Sequence, residues 1–320
     1  MSVAAPIVLG AVGLGAATLA GFARVTRAAT RRAEAAVPPD GDFISVEGAR
    51  LHYVDRGIGP VILLVHGLSG QLRNFTYALT EHLERDFRVI AVDRPGAGYS
   101  VPTTPVQPDL ASQAEILARF IAELGLEQPL LVGHSLGGAL SLRVALDHPG
   151  SIGGVALLSP LTQRQDELPA AFAKLNIPNA MLRRLVAYTI AVPAGLRNAA
   201  TTQALIFAPE PAPADFATRG GGLLSLRPSA IFASSSEVSA GSGEVARQAE
   251  RYATIRVPVS ILFGADDHIL QPARHGAATA ALIPGARYDT ISGGHMFPLT
   301  APKPTAAWIR ARAYELHLQE

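Results

Sequence analysis

The stretch Gly133-His134-Ser135-Leu136-Gly137 follows directly on the apolar run Pro129-Leu130-Leu131-Val132, and nothing else in the chain constrains the fold as much. A β-type run that breaks into small residues and resumes as a helical pattern over 136–148 reads as strand, sharp turn and helix. Crowding in such a turn leaves little room for β-carbons, which accounts for Gly133 and Gly137 around the serine, with Gly138 and Ala139 also small. The turn holds a hydroxyl clear of its own backbone. The helix behind it offers free N–H groups and a dipole to a developing negative charge. A hydroxyl at its free pKa is still a weak nucleophile and needs a base beside it. A turn that only packs a helix on a strand would look the same, so the weight falls on the rest of the chain.

Three further apolar runs end in turns of the same kind. Residues 60–65 lead into His66-Gly67-Leu68-Ser69-Gly70, where the backbone of Leu68 is a candidate second oxyanion donor. Residues 257–263 lead into Gly264-Ala265-Asp266-Asp267, and residues 288–292 into Gly293-Gly294-His295. A carboxylate and a histidine thus each follow a strand, in the order Ser, Asp, His.

The strand pattern extends along the chain. Residues 43–46 and 51–54 read as an antiparallel pair, followed by strands at 61–65, 89–92, 130–132, 155–158, 259–263 and 287–291. Helical patterns intervene at 75–85 and 112–124, and 308–318 closes the chain. Short apolar strands alternating with amphipathic helices imply a mainly parallel sheet covered on both faces. From 161 to about 252 no strand pattern fits, while 180–190 and 244–253 read as helices. An insertion of that length exceeds any ordinary connection. Between these two strands it emerges at the serine's end of the sheet, as a helical cap over Ser135. Leu182, Leu185, Leu205, Ile206, Phe207, Leu223, Leu224, Ile231 and Phe232 either line an acyl pocket there or pack the helices on their base. Gly220-Gly221-Gly222 reads as a hinge or a flexible loop.

With Asp93-Arg94-Pro95-Gly96-Ala97-Gly98-Tyr99-Ser100 added to these turns, the chain from about residue 42 onward resembles the α/β-hydrolase family. The resemblance implies an α/β fold with a mostly parallel eight-stranded sheet, core segments at 42–160 and 253–320, and a cap at 161–252. It implies Ser135 as nucleophile, His295 as general base, and Asp267 as the acid that orients the imidazole. The G-x-x-D spacing selects Asp267 over Asp266. The backbone N–H groups of Leu68 and Leu136 would form the oxyanion hole. His66 and His134 would support their turns, Asp93 would bond backbone, and Arg94 would brace the rim.

The activity implied is cleavage of a small apolar carboxylic ester through an acyl-enzyme. Serine at the elbow argues against epoxide hydrolase and haloalkane dehalogenase relatives, which use aspartate there. C–C bond hydrolysis, cofactor-free perhydrolase or haloperoxidase activity and acyl transfer use the same triad and stay open, as does a non-catalytic small-molecule receptor. No cofactor is expected. No H-E-x-x-H or similar spacing calls for a metal, and with no cysteine a thiolate site or disulfide is excluded. A formal net charge of +1 gives no reason to expect a nucleic-acid partner. Nothing in the sequence sets an oligomeric state.

Residues 1–23 carry no charged side chain, and 3–23 match the length of a membrane span, about 20 residues. Arg24, Arg27, Arg31 and Arg32 follow, with no acid before Glu34. The expectation is a membrane anchor with the catalytic domain facing the cytoplasm. A cleaved export signal, though it lacks a positive n-region, and a helix packed on the domain are the alternatives. Residues 24–41 are expected to be a basic, Pro38-Pro39-bearing linker.

Overall fold

The computed structural model describes residues 4–103 and 109–317, leaving the side chains of 4–16, 242 and 317 undescribed. Its strands are β1 (Asp42–Val46), β2 (Ala49–Arg56), β3 (Val61–Val65), β4 (Arg88–Val92), β5 (Val101–Pro102), β6 (Leu130–His134), β7 (Gly154–Leu158), β8 (Val259–Gly264) and β9 (Arg287–Ile291). They form one sheet in the order β1-β2-β4-β3-β6-β7-β8-β9, with β5 pairing β2. All neighbours from β4 to β9 are parallel, and β2 is antiparallel to β1, β4 and β5. The eight expected strands are all present, and among the described residues β5 adds a ninth. The two residues of β5 are too few to leave a strand pattern in the sequence.

Alternation along the strands explains the two layers around the sheet. Leu63, Val65, Leu131, Leu157, Ile261 and Phe263 face one side, packing with Phe120 and Leu140. Ile62, Leu64, Val132, Ala156, Leu158 and Leu262 face the other, packing with Phe75, Leu83 and Ile309. The helices are α1 (Ala4–Ala36), α2 (Arg73–Thr76), α3 (Leu110–Glu123), α4 (Leu136–Asp147), α5 (Ala180–Tyr188), α6 (Ala191–Phe207), α7 (Pro228–Ala249), α8 (Ala278–Leu282), α9 (Phe297–Thr300) and α10 (Pro302–His317). Between β7 and β8 there is no strand, and α5, α6 and α7 all lie in that interval.

Several expectations need correction. The helix expected over 75–85 is only α2 and a 3₁₀ turn at Thr80–His82. Phe75, Leu79 and Leu83 are buried at helical spacing, but the Thr80 hydroxyl bonds the Phe75 carbonyl (3.2 Å) and competes with the backbone ladder. α7 starts well before residue 244. Its serines hide it in sequence, and Ser236 and Ser239 satisfy their hydroxyls on the carbonyls of Phe232 and Ser235, four residues back. The expected linker at 24–41 is helical through Ala36. Alanine and arginine are strong helix formers, and Thr26, Ala33 and Val37 are buried on one face of that segment. Among the described residues no helix is long and apolar enough to cross a membrane. Most of the apolar stretch 1–23 lies outside the described side chains, and no structural support for the expected anchor is found.

Candidate active site

The elbow is built by backbones that pass too close for side chains. A β-carbon at Gly133 would lie 2.4 Å from the Gly137 carbonyl oxygen and 2.4 Å from Ser141 Oγ. One at Gly137 would lie 2.2 Å from the Val65 carbonyl oxygen. Between them Ser135 sits at φ 56°, ψ −120°, as the N-cap of α4. Its N–H bonds the Leu158 carbonyl (3.0 Å), and its own carbonyl accepts from Gly138 and Leu161 (both 2.9 Å). The next strand and the helix thus hold a backbone conformation that non-glycine residues rarely adopt.

The turn after β3 lies against this serine. A β-carbon at Gly67 would be 2.8 Å from Ser135 Cβ and 3.3 Å from its Oγ. The N–H groups of Leu68 and Leu136 are not among the backbone donors engaged by other described residues.

Asp267, in the turn after β8, and His295, after β9, meet directly: Nδ1 of the imidazole is 2.7 Å from Oδ2 of the carboxylate, and both residues are buried. The second oxygen, Oδ1, accepts from the N–H groups of Ile269 (2.8 Å) and Leu270 (2.9 Å). Burial works to raise the Asp267 carboxyl. The attraction and hydrogen bond of His295, with bonds from Leu270 and Ser159, outweigh it and hold the group below its ordinary range. The neighbouring Asp266 is exposed. On its other side His295 is tied to the elbow, since His134 Nε2 donates to the His295 carbonyl (3.0 Å) and the two rings are 4.8 Å apart. Burial, then the charge of His295, pushes His134 down to about 3, so it is neutral at ordinary pH. Ser135 Oγ and the His295 ring form no hydrogen bond among the described residues. The series is closed on the acid side and open on the hydroxyl side.

The supporting histidine of the first turn is equally fixed. His66 Nε2 accepts from the N–H of Arg94 (2.9 Å), which leaves the hydrogen on Nδ1 to donate to the Gly67 carbonyl (2.9 Å). Burial and the Arg94 charge push His66 down to about 3. Arg94 does not brace a rim: it is 3% exposed and lies beneath the turn. Its Nε donates to the His66 carbonyl (2.9 Å), Nη2 to the Gly67 carbonyl (3.0 Å) and Nη1 to Gln113 Oε1 (2.8 Å), and it is ion-paired with Glu237 of α7. Asp93 bonds the backbone N–H groups of Leu72 and Tyr99 (both 2.8 Å) and also pairs with His52 (2.7 Å).

Sequence reasoning missed Glu237, Glu210, His52 and Ser159. Glu210, from the insertion, accepts the Gly294 N–H (3.0 Å) beside His295. Gly220-Gly221-Gly222, read as a hinge or a flexible loop, lies against Gln71. The Gly220 carbonyl accepts from Gln71 Nε2 (2.9 Å), and Gly221 packs on the same side chain. Of the apolar residues proposed for an acyl pocket, Phe207 and Leu224 are buried in packing, while Leu182, Leu185 and Leu205 face outward. Phe232 lines a cavity of about 810 Å³ between α5, α7 and the loop after β4, together with Tyr99, Arg183 and Glu237. Asp267 borders a second cavity, of about 480 Å³, walled by residues 165–170.

The family profile described as alpha/beta hydrolase fold matches residues 60–302. The chain is 38% identical over 120 residues to the dihydrolipoyllysine-residue acetyltransferase component of the acetoin cleaving system of Cupriavidus necator, covering 37% of this chain and 32% of that one. It is 34% identical over 113 residues to bifunctional epoxide hydrolase 2 of Sus scrofa, covering 35% of this chain and 20% of the relative. The chain thus spans about a third or less of the length of these relatives. A thermophilic esterase from Thermogutta terrifontis superposes with a TM-score of 0.69 at 22% identity, covering 87% of this chain and all of that one.

Proposed function

The chain belongs to the α/β-hydrolase fold family, and from that premise we propose that it is a serine hydrolase cleaving a carboxylic ester through an acyl-enzyme on Ser135. The observation that carries the reading is the pairing of His295 with Asp267 at 2.7 Å, on turns beside a serine held at φ 56°. Ser135 attacks the ester carbonyl while His295 takes its proton through Nε2, the nitrogen that Asp267 leaves free. Asp267 keeps the other nitrogen protonated and stabilises the imidazolium that forms. Neutral His134 adds no charge to oppose it. The N–H groups of Leu68 and Leu136 receive the oxyanion, and His295 returns the proton to the leaving alcohol. Water activated by His295 then releases the acid. The bond between a serine nucleophile and its base is often long or misaligned until substrate is bound.

In this reading residues 161–252 cap the site, with Glu237 ion-paired to Arg94 beneath the turn after β3 and Glu210 bonded to the turn that carries His295. Serine in place of aspartate at the elbow favours an ester over an epoxide or a haloalkane. A fluorophosphonate probe tests the nucleophile: it labels the wild type and not Ser135→Ala, and labelling that persists in the variant removes Ser135 from the role. A panel of short and long esters, vinylogous diketones and acyl acceptors then sets ester hydrolysis against C–C cleavage and acyl transfer.

A further inference from the structure

We propose that the outer face formed by α1, α5 and α6 rests on the surface of an anionic lipid bilayer. A helix on the outside of a soluble domain turns its apolar stripe inward and its charges outward. α5 does the reverse. Its buried residues are Arg183 and Ala187, while Met181 (84% exposed), Leu182 (51%) and Leu185 (47%) share the outer face, and Tyr188 (44%) stands at its edge beside the cavity lined by Phe232. The inversion is built in, because all three nitrogens of the buried guanidinium donate a hydrogen bond, to the carbonyls of Ile177 (3.0 Å) and Pro178 (3.1 Å) and to Ser236 Oγ (2.7 Å).

The neighbouring helices continue the face. α6 contacts both α5 and α1 and exposes Leu196 and Leu205. α1 is pinned alongside by a buried bond from Thr26 Oγ1 to the Thr189 carbonyl (2.8 Å), and it exposes Phe22 and Val25. Only Ile58, Val101, Leu282 and Tyr314 of the exposed large apolar side chains among the described residues lie off this layer. Exposed apolar side chains gathered on three adjoining helices mark an interaction face.

Its charges choose the occupant. No acid occurs between Glu167 and Glu210, so α5 and α6 carry none, and Arg184 and Arg197 on them are exposed. α1 adds Arg24, Arg27, Arg31 and Arg32 before its first acid. An apolar face fringed by arginines, with no carboxylate on α5 or α6 and Glu34 of α1 paired with Arg227, fits acyl chains flanked by anionic headgroups. An interface between copies would set these arginines against each other. The uncharged stretch 1–23 runs into the same helix. A face that rests on lipid requires no helix that crosses it. Docking of this face does not depend on which bond Ser135 cleaves.

The chain has no cysteine, so single labels are clean. Met181→Cys in the full chain, carrying a polarity-sensitive fluorophore, reports from α5. Ile58→Cys, 85% exposed in the turn before β3, is the reference. With vesicles of phosphatidylcholine containing phosphatidylglycerol, the label at 181 shifts to the blue and is quenched by brominated lipid, while that at 58 does neither. Phosphatidylcholine alone and high salt both weaken the response. Cosedimentation of Leu182→Asp/Leu185→Asp with the same vesicles falls roughly tenfold or more, with hydrolysis of a soluble ester unchanged. A chain that binds vesicles while the 181 label stays in water overturns the proposal, as does one that ignores them. So does a blue shift that follows protein concentration without lipid and accompanies a doubled mass in light scattering, which assigns the face to a second copy.

Discussion

Arg94, in the loop after β4, and Glu237, on α7, form an ion pair whose side chains are almost wholly buried, and the same guanidinium holds the Gly67 carbonyl at 3.0 Å. The consequence lies across one peptide bond. The Gly67–Leu68 peptide is planar, so a carbonyl fixed by Arg94, His66 Nδ1–H and the Gly70 N–H (3.2 Å) fixes the opposite direction of the Leu68 N–H. If that N–H receives the oxyanion, Arg94→Lys lowers kcat for a soluble ester by about tenfold to a hundredfold. That is less than loss of an oxyanion donor outright, and KM stays within about twofold. Lysine keeps the charge but cannot span two carbonyls and two side chains at once. Glu237→Gln changes kcat in the same direction by less. Steady-state kinetics beside a circular dichroism check read the effect; equal loss through KM would mean that the network shapes binding instead.

Acid should destabilise the protein through its neutral buried histidines. His134 is held at about 3 in the folded chain, against about 6.5 when unfolded. Between those values the unfolded chain takes up a proton that the folded chain refuses. The associated stability is therefore complete above about pH 6.5 and is lost as pH falls toward 3. Within that window His134 steepens the dependence by about 1.4 kcal/mol per pH unit. His134→Gln keeps an N–H for the His295 carbonyl and has nothing to titrate. Urea unfolding of the variant between about pH 6 and 4 should show a slope shallower by one proton. Parallel slopes would show that His134 is not the group refusing the proton.

Two glycines make opposite predictions from the same geometry. At Gly137 an added methyl meets the carbonyl oxygens of Val65 (2.2 Å) and His66 (2.6 Å), both backbone. Gly137→Ala should cost about 3 kcal/mol, at the upper end for overpacking. At Gly241, inside α7, nothing lies within 4 Å. Gly241→Ala should add about 0.5–1 kcal/mol through helix propensity. Thermal denaturation of both variants checks the pair.

What was legible in the sequence was local. The strand ending at His134, the glycines around Ser135 and the run before Asp267 each carry their signal within a few residues. They placed every long strand to within a few residues and assigned the fold. Partners delivered by the insertion left no such trace. Glu237 and Glu210 are ordinary surface-type residues until the tertiary structure sets them on Arg94 and Gly294. α5 shows the same limit in another form. The sequence leaves Leu182 and Leu185 either lining an acyl pocket or packing the helices on their base, but the helical pattern cannot say what a face looks at, and the structure turns them outward. His52, within β2, gave no hint that Asp93 would meet it at 2.7 Å.

The backbone at Ser135 should itself store strain that function requires. A non-glycine residue at φ 56°, ψ −120° costs about 1–3 kcal/mol relative to relaxed backbone. Glycine adopts such angles without a β-carbon penalty, at the expense of extra freedom in the unfolded chain, about 0.5–1 kcal/mol. Ser135→Gly should therefore be more stable than wild type by about 1 kcal/mol, while losing all reaction with a fluorophosphonate. Ser135→Ala separates the two effects: it removes the hydroxyl and keeps the β-carbon, so it should be equally inactive without the gain. Unfolding free energies of the three proteins at one pH measure the difference. If the glycine and alanine variants are equally stable, the elbow's strain is no larger than the freedom that glycine gives up, about 0.5–1 kcal/mol, and the expected excess is refuted.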